Sequence, residues 1–127
     1  MSKILLTTFF ILGVFLSYSQ TEEHIGYLVI SKNDASVTYI SPLIKCDLLS
    51  NYGERHNQEY KIGEHFRNYI KTKYAPENIS GTGKQWFPMR MEATATERYN
   101  KAIELYRKDA EVIVVKSSDY QCDCNVE

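Results

Sequence analysis

The chain has 127 residues, 15 basic and 16 acidic side chains, and a formal net charge of −1. A length of this order sets a prior of one domain. The near-neutral balance excludes a general nucleic-acid binder, which needs a basic stripe, and excludes strong attraction to anionic membranes.

The first stretch, MSKILLTTFFILGVFLSYSQ, reads as a secretory signal peptide. Lys3 supplies the positive n-region, and Ile4 to Leu16 form an apolar run broken only by Thr7, Thr8 and Gly13. Ser17 and Ser19 are small residues at the −3 and −1 positions before Gln20. The run falls short of the roughly 20 residues that span a bilayer. The pattern therefore predicts a signal peptide over 1–19 and one small α+β domain over 20–127, ending in a short cysteine-containing tail. The expected location is secreted or periplasmic, without stable membrane insertion after cleavage. Loss of Lys3 leaves 14 of the 15 basic residues against 16 acidic ones, a net charge of −2.

Tyr27 to Ser31 and Val37 to Cys46 are predicted as a hairpin, with Asn33 and Asp34 supplying turn chemistry. Pro42 lacks a ladder donor, so the second strand should lie at an edge or be bulged there. DLLSNYGERHNQ, polar and turn-rich, is predicted as a connector. Ile62, Phe66, Tyr69, Ile70 and Tyr74 recur at helical spacing. Ala75-Pro76 should stop that helix, because a residue before proline avoids helical angles. PENISGTGKQ reads as a loop. In WFPMRMEA, Phe87, Met89, Met91 and Ala93 alternate with polar residues, which predicts a half-buried strand. Thr94 and Glu97 fit a capping box for a helix carrying Ala95, Tyr99, Ala102, Ile103 and Tyr106 on one stripe. The continuous run Val112–Val115 predicts a final, central strand. The order is ββαβαβ. The expected fold is a two-layer α+β sandwich, one four-stranded, mostly antiparallel sheet with two helices on one face.

Three cysteines cannot all pair within one chain. An exported chain favours disulfides, so the expectation is a bond from Cys46 to the tail. Cys122 is favoured over Cys124 because it lies nearer the last strand. The spare thiol would then be open to a disulfide-linked partner. Two alternatives use CDC at Cys122–Cys124, as a thiol redox pair or as a soft-metal clamp. His56, Glu59 and His65 carry zinc-type donors and would be the site of a metal-assisted hydrolase, but the histidines are nine apart and match no metalloprotease spacing. SGTGK at Ser80–Lys84 lacks the first glycine and the final hydroxyl of a phosphate loop. Trp86 and Phe87 follow a glycine-rich loop and are candidates for a binding platform or for the lid of the core. No catalytic motif is complete and no cofactor is implied. The expected function is an exported, non-catalytic binding protein for an unknown protein or envelope ligand.

Overall fold

The structure is a computed structural model that describes residues 20–125. The predicted signal peptide lies outside the described residues. Five strands and two helices follow in the order β1 (Thr21–Ser31), β2 (Val37–Ile40), β3 (Ile44–Leu49), α1 (Tyr52–Tyr74), β4 (Gly83–Phe87), α2 (Glu92–Arg107) and β5 (Glu111–Val114). The class is α+β, as the element order predicts. Among the described residues, no helix is long and apolar enough to cross a membrane.

β1 is the spine of the sheet. It pairs antiparallel with β2, β3 and β4, whereas β5 pairs parallel with β2. Val29 pairs with both Ile40 and Gly83, so β2 and β4 flank β1 on opposite edges. Gly26 pairs with both Ile44 and Trp86, which puts β3 on the same edge as β2. β2 and β3 are thus one predicted strand interrupted by a bulge at Ser41–Leu43, where Pro42 removes a donor. The buried Ser41 repairs the break. Its Oγ accepts from Leu28 N–H at 2.9 Å, its own N–H donates to Leu28 O at 2.9 Å, and its carbonyl accepts from Tyr99 Oη at 2.6 Å.

The two-layer arrangement is corrected: the helices cover opposite faces. Leu28 and Ile30 pack with Ile62, Phe66 and Ile70 of α1, whereas Ile25 and Tyr27 pack with Ala95 and Ile103 of α2. Alternate residues of a strand point to opposite faces, so β1 is buried on both. The topology accounts for this. The β3–α1–β4 crossover carries the chain over β1, and β4–α2–β5 carries it back the other way. Crossovers between parallel strands share one hand. Two such crossovers in opposite directions must therefore use opposite faces, giving three layers.

Several boundaries also differ from expectation. Among the described residues β5 pairs only with β2, so it is an edge strand rather than a central one. Its continuous apolar run is half-buried because Val112 and Val114 meet the α2 side while Ile113 meets the α1 side. β4 starts inside the predicted loop and ends at Phe87, because Pro88 cannot extend the ladder. Met89 then takes φ 59°, and α2 begins at Glu92 with no side-chain cap from the predicted Thr94 box.

The predicted connector 47–58 is instead the end of β3, a link at Ser50–Asn51 and the first turns of α1. Asn51 caps α1 by accepting from Glu54 N–H at 3.2 Å. The first turns of α1 have little apolar face, and Tyr52 is 85% exposed. Gln58 holds them instead. Its Oε1 accepts from Leu49 N–H at 2.9 Å, and its Nε2 donates to the carbonyls of Asp47 and Cys124, each at 3.0 Å. The helix ends as expected, with Ala75 in the left-handed region before Pro76.

Gly26 is required by a close approach. A Cβ there would lie 2.3 Å from Gln85 O and 2.4 Å from Trp86 Cε3, because the indole lies across this point of the sheet.

Candidate functional site

Two features stand out, one on each face of the sheet. On the α2 face, a groove of about 480 Å³ runs between the β1–β2 hairpin and the C-terminal end of α2. Tyr27, Thr38 and Ala102 line it, with Leu105, Tyr106 and Asp109 also contributing. Leu105 is 54% exposed and Tyr106 is also exposed, so this is an unusual apolar rim. Tyr27 is held by Tyr99, edge-on at 5.4 Å, and by Phe87 at 6.2 Å. Burial, and then the nearby Tyr106, raise the Tyr27 phenol above its ordinary value, so it remains a neutral donor. Ser31 Oγ and Thr38 Oγ1 share a hydrogen bond of 2.9 Å at the hairpin end. The arrangement offers apolar contact with a small number of hydroxyl groups, the usual make-up of a small-molecule pocket.

On the α1 face, the three cysteines converge. Cys46 and Cys124 form a disulfide with a Cα–Cα distance of 5.6 Å, and Cys122 is a free thiol. All three sulfurs lie within 4.8 Å of one another. The predicted bond from Cys46 to the tail is therefore present, but through Cys124 rather than Cys122. Chain path explains the correction. Val114 pairs with Ile40, and the chain continues beyond it in the direction of β3. The turn at Ser117–Asp119 consumes residues, with Asp119 and Tyr120 N–H both donating to Lys116 O. Cys124, not Cys122, then comes level with Cys46.

That turn also seats Tyr120, a buried residue that sequence patterning missed. Its ring meets Phe66 edge-on at 5.2 Å and Tyr69 at 4.8 Å, and its hydroxyl lies 2.9 Å from His65 Nδ1. The tail thus docks by burial as well as by its disulfide. Burial is also the main reason that the Cys122 thiol is pushed up to about 11.

The predicted metal residues do not converge. His56 and His65 are nine apart on one helix, about 13.5 Å along its axis and on opposite sides of it. His56 is exposed, His65 is engaged with Tyr120, and Glu59 accepts from Arg55 Nε at 3.0 Å. Phe87 is 1% exposed and closed into the α2-side core. Trp86 is half-buried against the α1-side core, with its Nε1 buried and without a hydrogen-bond partner. Their placement is that of core aromatics, and neither presents an open platform.

His24 has no place in the motifs but is 2% exposed. Its Nδ1 lies 2.8 Å from Phe87 O, a carbonyl that can only accept, so Nδ1 carries the proton. Nε2 faces the Glu22 carboxylate at 3.6 Å without a hydrogen bond.

The groove was beyond sequence reasoning because its walls come from Tyr27, Thr38 and Leu105, far apart in the chain. The sulfur cluster was partly legible, since cysteine usage alone pointed to Cys46 and the tail. No protein-family model, curated protein or solved structure matches this chain.

Proposed function

We propose that this is an exported, non-catalytic binding protein that takes its ligand in the groove between α2 and the β1–β2 hairpin. The observation that carries this reading is the groove itself, with an exposed apolar rim at Leu105 and Tyr106 over the packed Tyr27. Its volume of about 480 Å³ suits a drug-sized molecule or one or two side chains of a peptide. The chemistry favours an apolar or aromatic body with a hydrogen-bonding edge directed at the Tyr27, Ser31 and Thr38 hydroxyls.

The test is a fragment panel read by amide chemical shifts. Aromatic alcohols and amines should perturb Tyr27, Ala102, Leu105, Tyr106 and Ala110 together. The paired change Leu105→Ala and Tyr106→Ala should remove those perturbations while leaving the fold intact, since both side chains are exposed. Perturbations centred on Arg55 and His56 instead would move the site to the other face and overturn this assignment.

Export rests on the pattern of residues 1–19 and is in keeping with a disulfide, which persists in oxidising compartments. Intact-mass measurement of the protein from its native host should give a chain beginning at Gln20. A chain retaining Met1 to Ser19 in the membrane fraction would contradict export by a cleaved signal.

A further inference from the structure

A disulfide needs two sulfurs, and the cluster on the α1 face holds three. We propose that Cys46, Cys122 and Cys124 in their reduced form are a three-thiolate site for a soft d10 ion, Cu(I), and that the disulfide is the metal-free state of the same site. Thiolate is the ligand class that selects such ions. A metal–sulfur bond of about 2.3 Å places three sulfurs around one ion roughly 4 Å apart. The three sulfurs here already lie within 4.8 Å of one another, and reduction would let the bonded pair part to that spacing.

The cluster is also held by contacts that do not depend on the disulfide. Cys46 sits in β3 with its side chain buried in the α1-side core. Tyr120 anchors the tail among Phe66, Tyr69 and His65. Gln58 bridges Asp47 O and Cys124 O, tying the tail to the strand that carries Cys46. Breaking the bond therefore leaves the ligands near one another, and little ordering remains to be done when the ion arrives.

A dithiol reductant gives two electrons and two protons to the Cys46–Cys124 bond and itself becomes a disulfide. That yields two thiols beside the existing Cys122 thiol. Cu(I) then displaces one proton from each thiol that binds it. A disulfide oxidant takes two electrons from the Cys46 and Cys124 thiolates and, with two protons from solvent, becomes a dithiol; the Cys46–Cys124 bond re-forms, Cys122 regains a proton and the ion is released.

The purified protein, reduced with a phosphine under argon, should be titrated with Cu(I) against a chromophoric chelator. We expect one ion per chain, a thiolate-to-copper charge-transfer band, and protection of all three thiols from alkylation. Cys122→Ser should weaken binding by at least about tenfold, since even outer-shell partners of a metal are worth that much. This variant keeps the Cys46–Cys124 bond when oxidised, so its fold can be verified by circular dichroism before reduction. The oxidised parent should leave the ion with the chelator. Equal affinity in Cys122→Ser, or no retention of Cu(I) by the reduced parent, would overturn the site. Neither result bears on the groove, which lies on the opposite face and is read by fragment shifts.

Discussion

Truncation of Phe66 to alanine is expected to lower the unfolding free energy by about 3–5 kcal/mol. The side chain is fully buried between Ile62 and Ile70 in the core under α1. It also forms the wall against which Tyr120 stands edge-on at 5.2 Å. Alanine would therefore leave a cavity and loosen the tail in one step. Small domains are stable by only about 5–15 kcal/mol, so this single change could consume much of the margin. Ile70→Ala, in the same core, and Ile103→Ala, under α2, should each cost about 2–5 kcal/mol. Lys71→Ala, one residue from Ile70 but exposed, should stay within about 0.5 kcal/mol. Denaturant melts analysed at constant m-value give the ranking directly. If Lys71→Ala proved as costly as Phe66→Ala, the helical phase that buries Phe66 would be wrong.

The same residues show which parts of the fold were legible. Ile62, Phe66 and Ile70 recur at helical spacing, and α1 buries all three. Pro42 announced a bulge, and a bulge is there. Periodicity failed where polar contacts replace apolar burial. The first turns of α1 contain Gly53, His56 and Asn57 and have no apolar stripe, yet they are helical because Asn51 caps them and Gln58 ties them down. Alternation misled in the opposite way at Met89 and Met91. Their pattern is that of a strand, but Pro88 ends the ladder before them and both are exposed.

The layer count was hidden for a different reason. Two amphipathic helices and one sheet fit either one face or both. What separates the cases is which strand is buried on both sides. HIGYLVI, at His24–Ile30, is buried almost throughout, and it belongs to β1 at the centre. The shorter valine run of β5 resembled a central strand, but at the edge its side chains are only half-covered. Burial on two faces depends on what the crossovers bring over the sheet, and their direction follows from strand order rather than from any local window.

Removing Cys46 should have an effect as large as removing Phe66. The Cys46–Cys124 bond spans a sequence separation of 78, and the chain-entropy relation gives about 4–5 kcal/mol for a loop of that size. Cys46→Ala deletes the strand end of the bond, and the two tail cysteines can then pair only with each other. The full loss is expected, together with a smaller term for the buried sulfur. Cys124→Ala should behave differently. Cys122 remains within 4.8 Å of Cys46 and can take over the bond, closing a loop only two residues shorter. Its stability should therefore lie well above that of Cys46→Ala, although Cys122 must leave its half-buried position to pair. Non-reducing melts of the two variants, with peptide mapping of Cys124→Ala for a Cys46–Cys122 bond, make the comparison. Equal losses and no such bond would mean that the anchoring of Tyr120 fixes the tail too firmly for Cys122 to reach Cys46. A surviving bond would instead show that a third cysteine can restore the loop, so that the tail keeps its place on β3 through whichever sulfur remains.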